Sequence, residues 1–319
     1  PTPRPPRPTP RPSRRQRQMC IRDRMECHQR LNLLKTGIAF ADQITTVSPT
    51  YAQEIQTPEV GCGLHSLLQH RSEQLTGILN GIDTETWNPQ TDAHLAENYG
   101  PDCFEEHKPA CKAFLQKRLG LPLRGDVPLF GMISRMTDQK GFDLIAETAD
   151  AILEDDVQIA VLGSGDSRYQ SMFQNLSARH PDKVATFIGF DDPLAHQIEA
   201  GSDVYLMPSR FEPCGLNQMY SLAYGSIPLV RAVGGLADSV VDFNPSTRSR
   251  ATGVVFKDYN GRSFFNAVRR SVDLYHQPTA RRQVVRSGMR RDSSWLRSAE
   301  QYVSVYRKSQ SFREPPHNQ

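Results

Sequence analysis

Between residues 129 and 230 the chain alternates short apolar runs with amphipathic stretches, at intervals that suit a parallel sheet covered by helices. The spacing predicts strands over 129–133, 158–162, 184–188, 204–207 and 227–230, separated by helices over 142–153, 168–179, 194–200 and 217–224. Parallel strands joined in this way bind ligands at their carboxyl ends. A short connection at 239–241, a further strand over 253–256 and a helix over 261–276 follow. A last helix over 294–307 places Trp295, Ala299, Tyr302 and Tyr306 on one apolar face. Upstream, helical periodicity over 31–40, a strand over 44–47, a helix beginning over 50–55, a glycine-led turn and helix over 61–69 and a strand over 75–79 read as the end of another parallel sheet. Its earlier strands are not in this chain, so 44–47 and 75–79 are expected to present unpaired edges. The polar stretch 88–125, with one helix over 108–119, reads as the crossover between the two.

The 319 residues, 38% hydrophobic and 23% charged, match an ordinary soluble chain of two domains. No apolar run approaches the roughly 20 residues that cross a bilayer. The formal charge of +3 is unevenly spread: residues 1–24 carry eight arginines against Asp23, a net +7 that leaves −4 for the remainder. Seven of the 23 prolines fall in the first twelve residues, so this segment lacks the apolar surface to fold. Arg17–Arg24 (RQMCIRDR) resembles the translation of a sequencing adapter. The segment is therefore read as a disordered, non-native leader rather than as a nucleic-acid or membrane arm. The six cysteines, at 20, 27, 62, 103, 111 and 214, form no C-x-x-C pair and have no histidine at metal spacing, which favours a reduced, cytoplasmic setting.

The densest chemistry lies in residues 207–238 (MPSRFEPCGLNQMYSLAYGSIPLVRAVGGLAD). A buried strand runs into a turn bearing Arg210 and Glu212 and then a Gly-Leu helix start, offering a carboxylate and helix amides to a phosphate-bearing ligand. Together with residues 41–52 (ADQITTVSPTYA), 75–89 (LTGILNGIDTETWNP) and 134–144 (SRMTDQKGFDL), in this order, the string resembles the retaining glycosyltransferases that elongate α-1,4-glucans, bacterial glycogen synthase and plant starch synthase. The resemblance runs from about residue 31 to 307. It implies an α/β fold of two facing Rossmann-like domains, the GT-B type. The chain is expected to hold a leader (1–24), the remnant of the amino-terminal acceptor-side domain (25–90), a complete carboxyl-terminal nucleotide-sugar-binding domain (91–293), and a helix and tail crossing back (294–319).

What the resemblance implies chemically is transfer of glucose from ADP-glucose to the non-reducing end of an α-1,4-glucan with retention, in a bacterial cytoplasm. The alternative is a fragment that binds nucleotide sugar without transfer. Arg135 and Lys140 are implied to grip the diphosphate, as a fork and as a point charge. Glu212 is implied to lie near the sugar, with Cys214, Gly215 and Leu216 forming the helix start that meets glucose hydroxyls and the distal phosphate. Asn217 stands where the family commonly has Thr. Only one acid is present, Tyr220 occupying the position eight residues on, so a two-carboxylate glycosidase scheme has no support. Gly163, opening Gly163-Ser164-Gly165-Asp166, is either a phosphate-loop residue or part of a tight turn requiring positive φ. Phe190 is either an aromatic against the nucleotide base or a core residue. Gly234, Gly235, Leu236 and Asp238 are expected to shape the loop beneath the phosphates, in a structural role or through a direct contact, and His28, His65 and His107 to be surface residues. No metal and no cofactor are expected, ADP-glucose being a substrate. The partners are the sugar donor and the glucan, with no membrane and no nucleic acid.

Overall fold

The computed structural model describes residues 26–27 and 30–311, so the leader and His28 lie outside the described residues. The described chain divides into two compact units. One takes residues up to 45, 53–76 and those from 305 on, and the other takes 46–52 and 77–304.

In the first unit, β1 (Glu26–Cys27) pairs antiparallel with β2 (Arg30–Leu31). Helix α1 (Leu33–Phe40) starts at Asn32, whose side chain accepts from the Lys35 amide at 2.8 Å, a capping bond that satisfies an otherwise orphan donor. Strand β3 (Ile44–Thr46), helices α2 (Pro49–Glu54) and α3 (His65–His70), and strand β4 (Leu75–Gly77) follow along the chain, residues 46, 49–52 and 77 of them counting with the other unit. The two strands expected to present unpaired edges pair with each other alone, so each keeps its outer edge outside the pairing among the described residues. Ile38, Leu64 and Leu68 form a small core, and the Arg71 guanidinium donates to the carbonyls of Ile38, Ala39 and Ala41 at the end of α1. A cation there complements the helix's negative pole.

The second unit is built on a six-stranded parallel sheet. After α4 (Phe104–Leu119) come β5 (Leu129–Ile133), α5 (Phe142–Glu154), β6 (Gln158–Gly163), α6 (Ser167–Arg179), β7 (Val184–Ile188), α7 (Asp192–Gly201), β8 (Val204–Met207), α8 (Asn217–Ala223), β9 (Ile227–Arg231), α9 (Gly234–Ser239), β10 (Val254–Phe256), α10 (Gly261–Tyr275), α11 (Pro278–Met289) and α12 (Trp295–Ser311). The strand order β10-β9-β8-β5-β6-β7 places the reversal of strand order between β5 and β8. Side chains alternate between two cores, as strand geometry requires. Phe130, Met132, Ile159, Val161, Leu206 and Leu229 face one core; Leu129, Ala160, Leu162, Tyr205, Met207 and Val230 face the other. With helices on both faces, β6 and β8 are buried along their whole length, which is why they read as unbroken apolar runs.

Three elements differ from the sequence expectation. Residues 278–289 form a helix in a stretch too rich in arginine to show an apolar period, opened by Pro278 in its first turn and buried only through Ala280, Val284, Val285 and Gly288. Gly234–Ser239 is a short helix rather than loop. In α12 the buried positions are Ser298 and Val305, while Trp295, Ala299 and Tyr306 are exposed, so the aromatic stripe is not the packed face. The Ser298 hydroxyl instead donates to the Leu79 carbonyl at 2.6 Å.

The segment over 87–99, ahead of α4, is held by polar groups and ring stacking. Trp87 is sandwiched between the His196 and Tyr220 rings, each centroid 3.9 Å away. His196 Nδ1 lies 2.7 Å from Asp92 Oδ2, which also accepts from the Tyr224 hydroxyl. Burial pushes the Asp92 carboxyl up, but the His196 and Tyr224 hydrogen bonds and the His94 amide together hold it below the usual carboxylate range. Tyr99 donates to the Tyr224 carbonyl at 2.7 Å. The buried Lys108 ammonium donates to the carbonyls of Ala200 and Tyr224 and to Ser226, and burial lowers its pKa to about 8.

Two outcomes follow from this packing. Phe142, wholly buried against the Tyr169 and Phe173 rings, is worth about 3–5 kcal/mol on truncation, so Phe142→Ala should lower the urea midpoint by that equivalent without changing the slope. Lys108 is charged in both folded and unfolded chains below pH 8, and between pH 8 and the unfolded value of 10.5 the unfolded chain holds the extra proton. Stability relative to Lys108→Met should therefore be flat from pH 6 to 7.5 and rise with pH above about 8 when urea midpoints are compared.

Candidate functional site

The carboxyl ends of β5 and β8 meet at the point where the strand order reverses, and the loops that follow them wall a cleft of about 730 Å³. The loop after β5 is zipped to the loop after β6. Ser134 donates to the Leu162 carbonyl at 3.1 Å, Met136 to that of Ser164 at 2.8 Å, and Asp166 back to that of Met136 at 2.8 Å. A Cβ on Gly163 would stand 1.9 Å from the Ser134 carbonyl oxygen. Close backbone approach therefore demands glycine here, and the positive φ expected of the turn falls on Gly165 instead. In this way Gly163 lines the cleft and fixes the loop that carries Arg135.

Lys140 sits on a single 3₁₀ turn, Asp138–Lys140, anchored by the Arg210 amide donating to the Gln139 carbonyl at 2.8 Å. Its Nζ lies 2.6 Å from Glu212 Oε2, which also accepts from the Ser209 hydroxyl at 3.1 Å. Glu212 is only 6% exposed, so the charge-assisted bond from Lys140 compensates the desolvation of its carboxylate. The same turn is held from outside by Asp138, which pairs with Arg168 and Tyr169; the Arg168 bond first, then Tyr169, keeps its carboxyl below the usual range. Arg210 does not share the site of Glu212. Its guanidinium lies over the Tyr259 ring and 2.8 Å from Asp143, away from the residues that line the cleft.

Arg135 lines the cleft, is exposed, and has no side-chain hydrogen bond or ion pair among the described residues. Because Lys140 offsets Glu212, Arg135 leaves the lining with net positive charge, suited to an anion. Phe190 follows the positive-φ Gly189 and is 88% exposed at the rim, which excludes the core reading. Cys214 packs with Ile82 and Met219, and burial raises its thiol pKa, so its side chain serves packing. Gly215 and Leu216 line the cleft ahead of α8. The Asn217 amide donates to the Ile133 carbonyl at 3.0 Å and to the Tyr205 hydroxyl at 2.6 Å, tying the start of α8 to the end of β5.

Asp238 has a structural part. Its carboxylate accepts from the Thr50 amide at 2.8 Å and hydroxyl at 2.7 Å, capping α2. His107 pairs with Glu97 at 2.9 Å, and His65 is half-buried rather than on the surface. Sequence reasoning missed Val47 and Asn80, which reach the cleft from turns that read only as strand ends. It also missed His196 and Glu199 inside α7, where the apolar period hid them. Burial holds the Glu199 carboxyl well above the usual range, with Ser221 donating to it at 2.8 Å.

Residues 116–288 match the family model described as glycosyl transferases group 1, and residues 10–70 match the starch synthase catalytic domain. The chain belongs to the group 1 glycosyl transferases. Among the relatives of this glycosyl transferase, glycogen synthase of Anaeromyxobacter dehalogenans is 52% identical over 283 residues, 89% of this chain and 59% of the relative. Glycogen synthase 1 of Methylococcus capsulatus is 49% identical over 89% of this chain and 58% of its own length. The chain thus spans less than two thirds of the curated relatives it matches. The solved catalytic domain of starch synthase IV from Arabidopsis thaliana, bound to ADP and acarbose, superposes with a TM-score of 0.84 at 38% identity, covering 90% of this chain and 59% of that one. A glycosyltransferase from Rickettsia africae, at 16% identity and a TM-score of 0.59, shares the fold alone. The expected fold class, a GT-B glycosyltransferase represented mostly by its carboxyl-terminal domain, is borne out.

The Lys140–Glu212 pair yields a stability test. Lys140→Ala should leave the Glu212 carboxylate buried with Ser209 alone and cost about 1–3 kcal/mol. Adding Glu212→Gln should recover most of that loss, a coupling that a double-mutant cycle in urea would measure.

Proposed function

We propose that this chain carries the donor-binding half of a glycogen (starch) synthase, a hexosyltransferase that moves glucose from ADP-glucose to the non-reducing end of an α-1,4-glucan with retention. The observation that carries the reading is the convergence, at the strand-order reversal, of the unpaired Arg135 guanidinium with the Lys140–Glu212 pair. In this reading the bond from glucose C1 to the diphosphate breaks, a bond from C1 to the glucan hydroxyl oxygen forms on the same face, and the hydroxyl proton passes to the departing phosphate oxygen. The charge left on ADP is met by Arg135 and Lys140, already fixed in place before the reaction. Glu212 lies beside the sugar, where a carboxylate stabilises positive charge on the ring or holds its hydroxyls. When the diphosphate draws Lys140, the carboxylate partly regains its freedom to do so.

Phe190, exposed at the rim, is assigned to the adenine face, and Gly163 and the backbone of Cys214, Gly215 and Leu216 to the phosphates and glucose. Asn217 positions the start of α8. In this reading residues 91–293 are assigned to the donor domain and 25–90 to the acceptor side. The proposed chemistry takes ADP-glucose as substrate and calls on no cofactor. Among the described residues no helix is long and apolar enough to cross a membrane. Cys62, Cys103, Cys111 and Cys214 are free thiols, which supports work in the reducing cytoplasm.

Calorimetric titration with ADP, ADP-glucose and UDP-glucose tests the reading. ADP-glucose should bind, Arg135→Ala and Lys140→Ala should each weaken it at least tenfold, and Phe190→Ala should weaken ADP by roughly 5- to 100-fold through lost stacking. Failure of the folded chain to bind any of the three would overturn it. Binding without transfer of labelled glucose to glycogen would reduce the assignment to a nucleotide-sugar-binding module.

A further inference from the structure

Outside the cleft, one group of side chains has the makeup of a metal site. Asp192 and His196 stand four residues apart on α7 and so share a helix face, and His94 of the segment ahead of α4 faces them. One donor atom from each, a carboxylate oxygen and two imidazole nitrogens, lie within 4.8 Å of one another. Tetrahedral zinc with bonds of about 2.0–2.1 Å sets its donors roughly 3.4 Å apart. Side-chain rotation closes that gap, and His94 and Asp192 are both exposed.

The buried member is already oriented. His196 is stacked on Trp87, and its Nδ1 is held 2.7 Å from Asp92 Oδ2. With the Nδ1 proton given to that carboxylate, Nε2 keeps its lone pair, the form of imidazole that binds metals. The other oxygen of Asp92 accepts from the His94 backbone amide at 2.8 Å, and the Gln197 side chain donates to the His94 carbonyl at 3.0 Å. One buried carboxylate therefore anchors both imidazole-bearing residues, as the outer-shell carboxylates of histidine metal centres do.

We propose that His94, Asp192 and His196 bind a divalent transition-metal ion, with Zn²⁺ the best-suited member, and that the ion clips the segment ahead of α4 to α7. Two nitrogens and one oxygen disfavour Mg²⁺ and Ca²⁺, which take oxygen ligands. None of the three residues lines the donor cleft, so the site is independent of sugar-nucleotide binding.

The test uses the full, tag-free chain stripped with chelator, then titrated with ZnCl₂ by calorimetry and with Co²⁺ by absorption. About one ion per chain should bind, with the d–d intensity of a four-coordinate centre. His94→Ala and Asp192→Asn, both at exposed positions and verified as folded by circular dichroism, should each weaken Zn²⁺ at least tenfold, and His107→Ala should leave it unchanged. At a hundredfold excess over Kd, Zn²⁺ should raise Tm by roughly 5 °C in the parent chain and not in His94→Ala. Absence of Zn²⁺ binding by the parent chain, or binding that survives the His94→Ala/Asp192→Asn double variant, would overturn the proposal, the latter assigning the ion to thiols.

Discussion

A carboxylate withdrawn from water either keeps its proton, as burial drives Glu199 to do, or finds a cation, and Glu212 finds Lys140. That requirement joins the loop after β8 to the loop after β5, the two segments flanking the strand-order reversal. Everything else at the cleft follows from holding those loops in register. The Gln139 carbonyl receives the Arg210 amide, Arg210 in turn pairs with Asp143 in the first turn of α5, and Asn217 fastens α8 to the last carbonyl of β5. Polar groups carry this organisation because the strands end there and the apolar cores cannot reach.

The sheet itself rests on a different principle. Its two cores are separated by alternation along each strand, so a residue at the end of β5 is aimed by the packing of those before it. Gly163 shows how tightly this is set: the third element of the cleft comes so close to Ser134 that a single methyl group would collide. Arg135 owes its orientation to that backbone zip rather than to any partner of its own side chain.

Most of the sheet was legible in the amino-acid order because strands buried on both faces leave continuous apolar runs. Arg135, Lys140 and Glu212 were legible as well, since motif spacing survives folding, and the structure brings all three to one cleft. Arg210, two residues before Glu212, turns instead to Asp143, a partner 67 positions away that local sequence does not disclose. The α11 helix was invisible because three arginines interrupt its few apolar positions. The stripe on α12 misled because aromatic residues mark a helix face without stating which side is covered. Buried polar partners such as Asp92 and His196, 104 positions apart, have no local signature at all.

The Trp87 sandwich has a spectroscopic consequence. The chain has two tryptophans, Trp87 and Trp295. The first is clasped between an imidazole and a phenol, the second stands half in solvent on the final helix. Their emission therefore differs in colour and in quenching, and acrylamide reaches one long before the other. The molecule thus carries two intrinsic optical labels, one reporting whether the segment ahead of α4 is seated and the other whether the last helix is docked, with no dye attached.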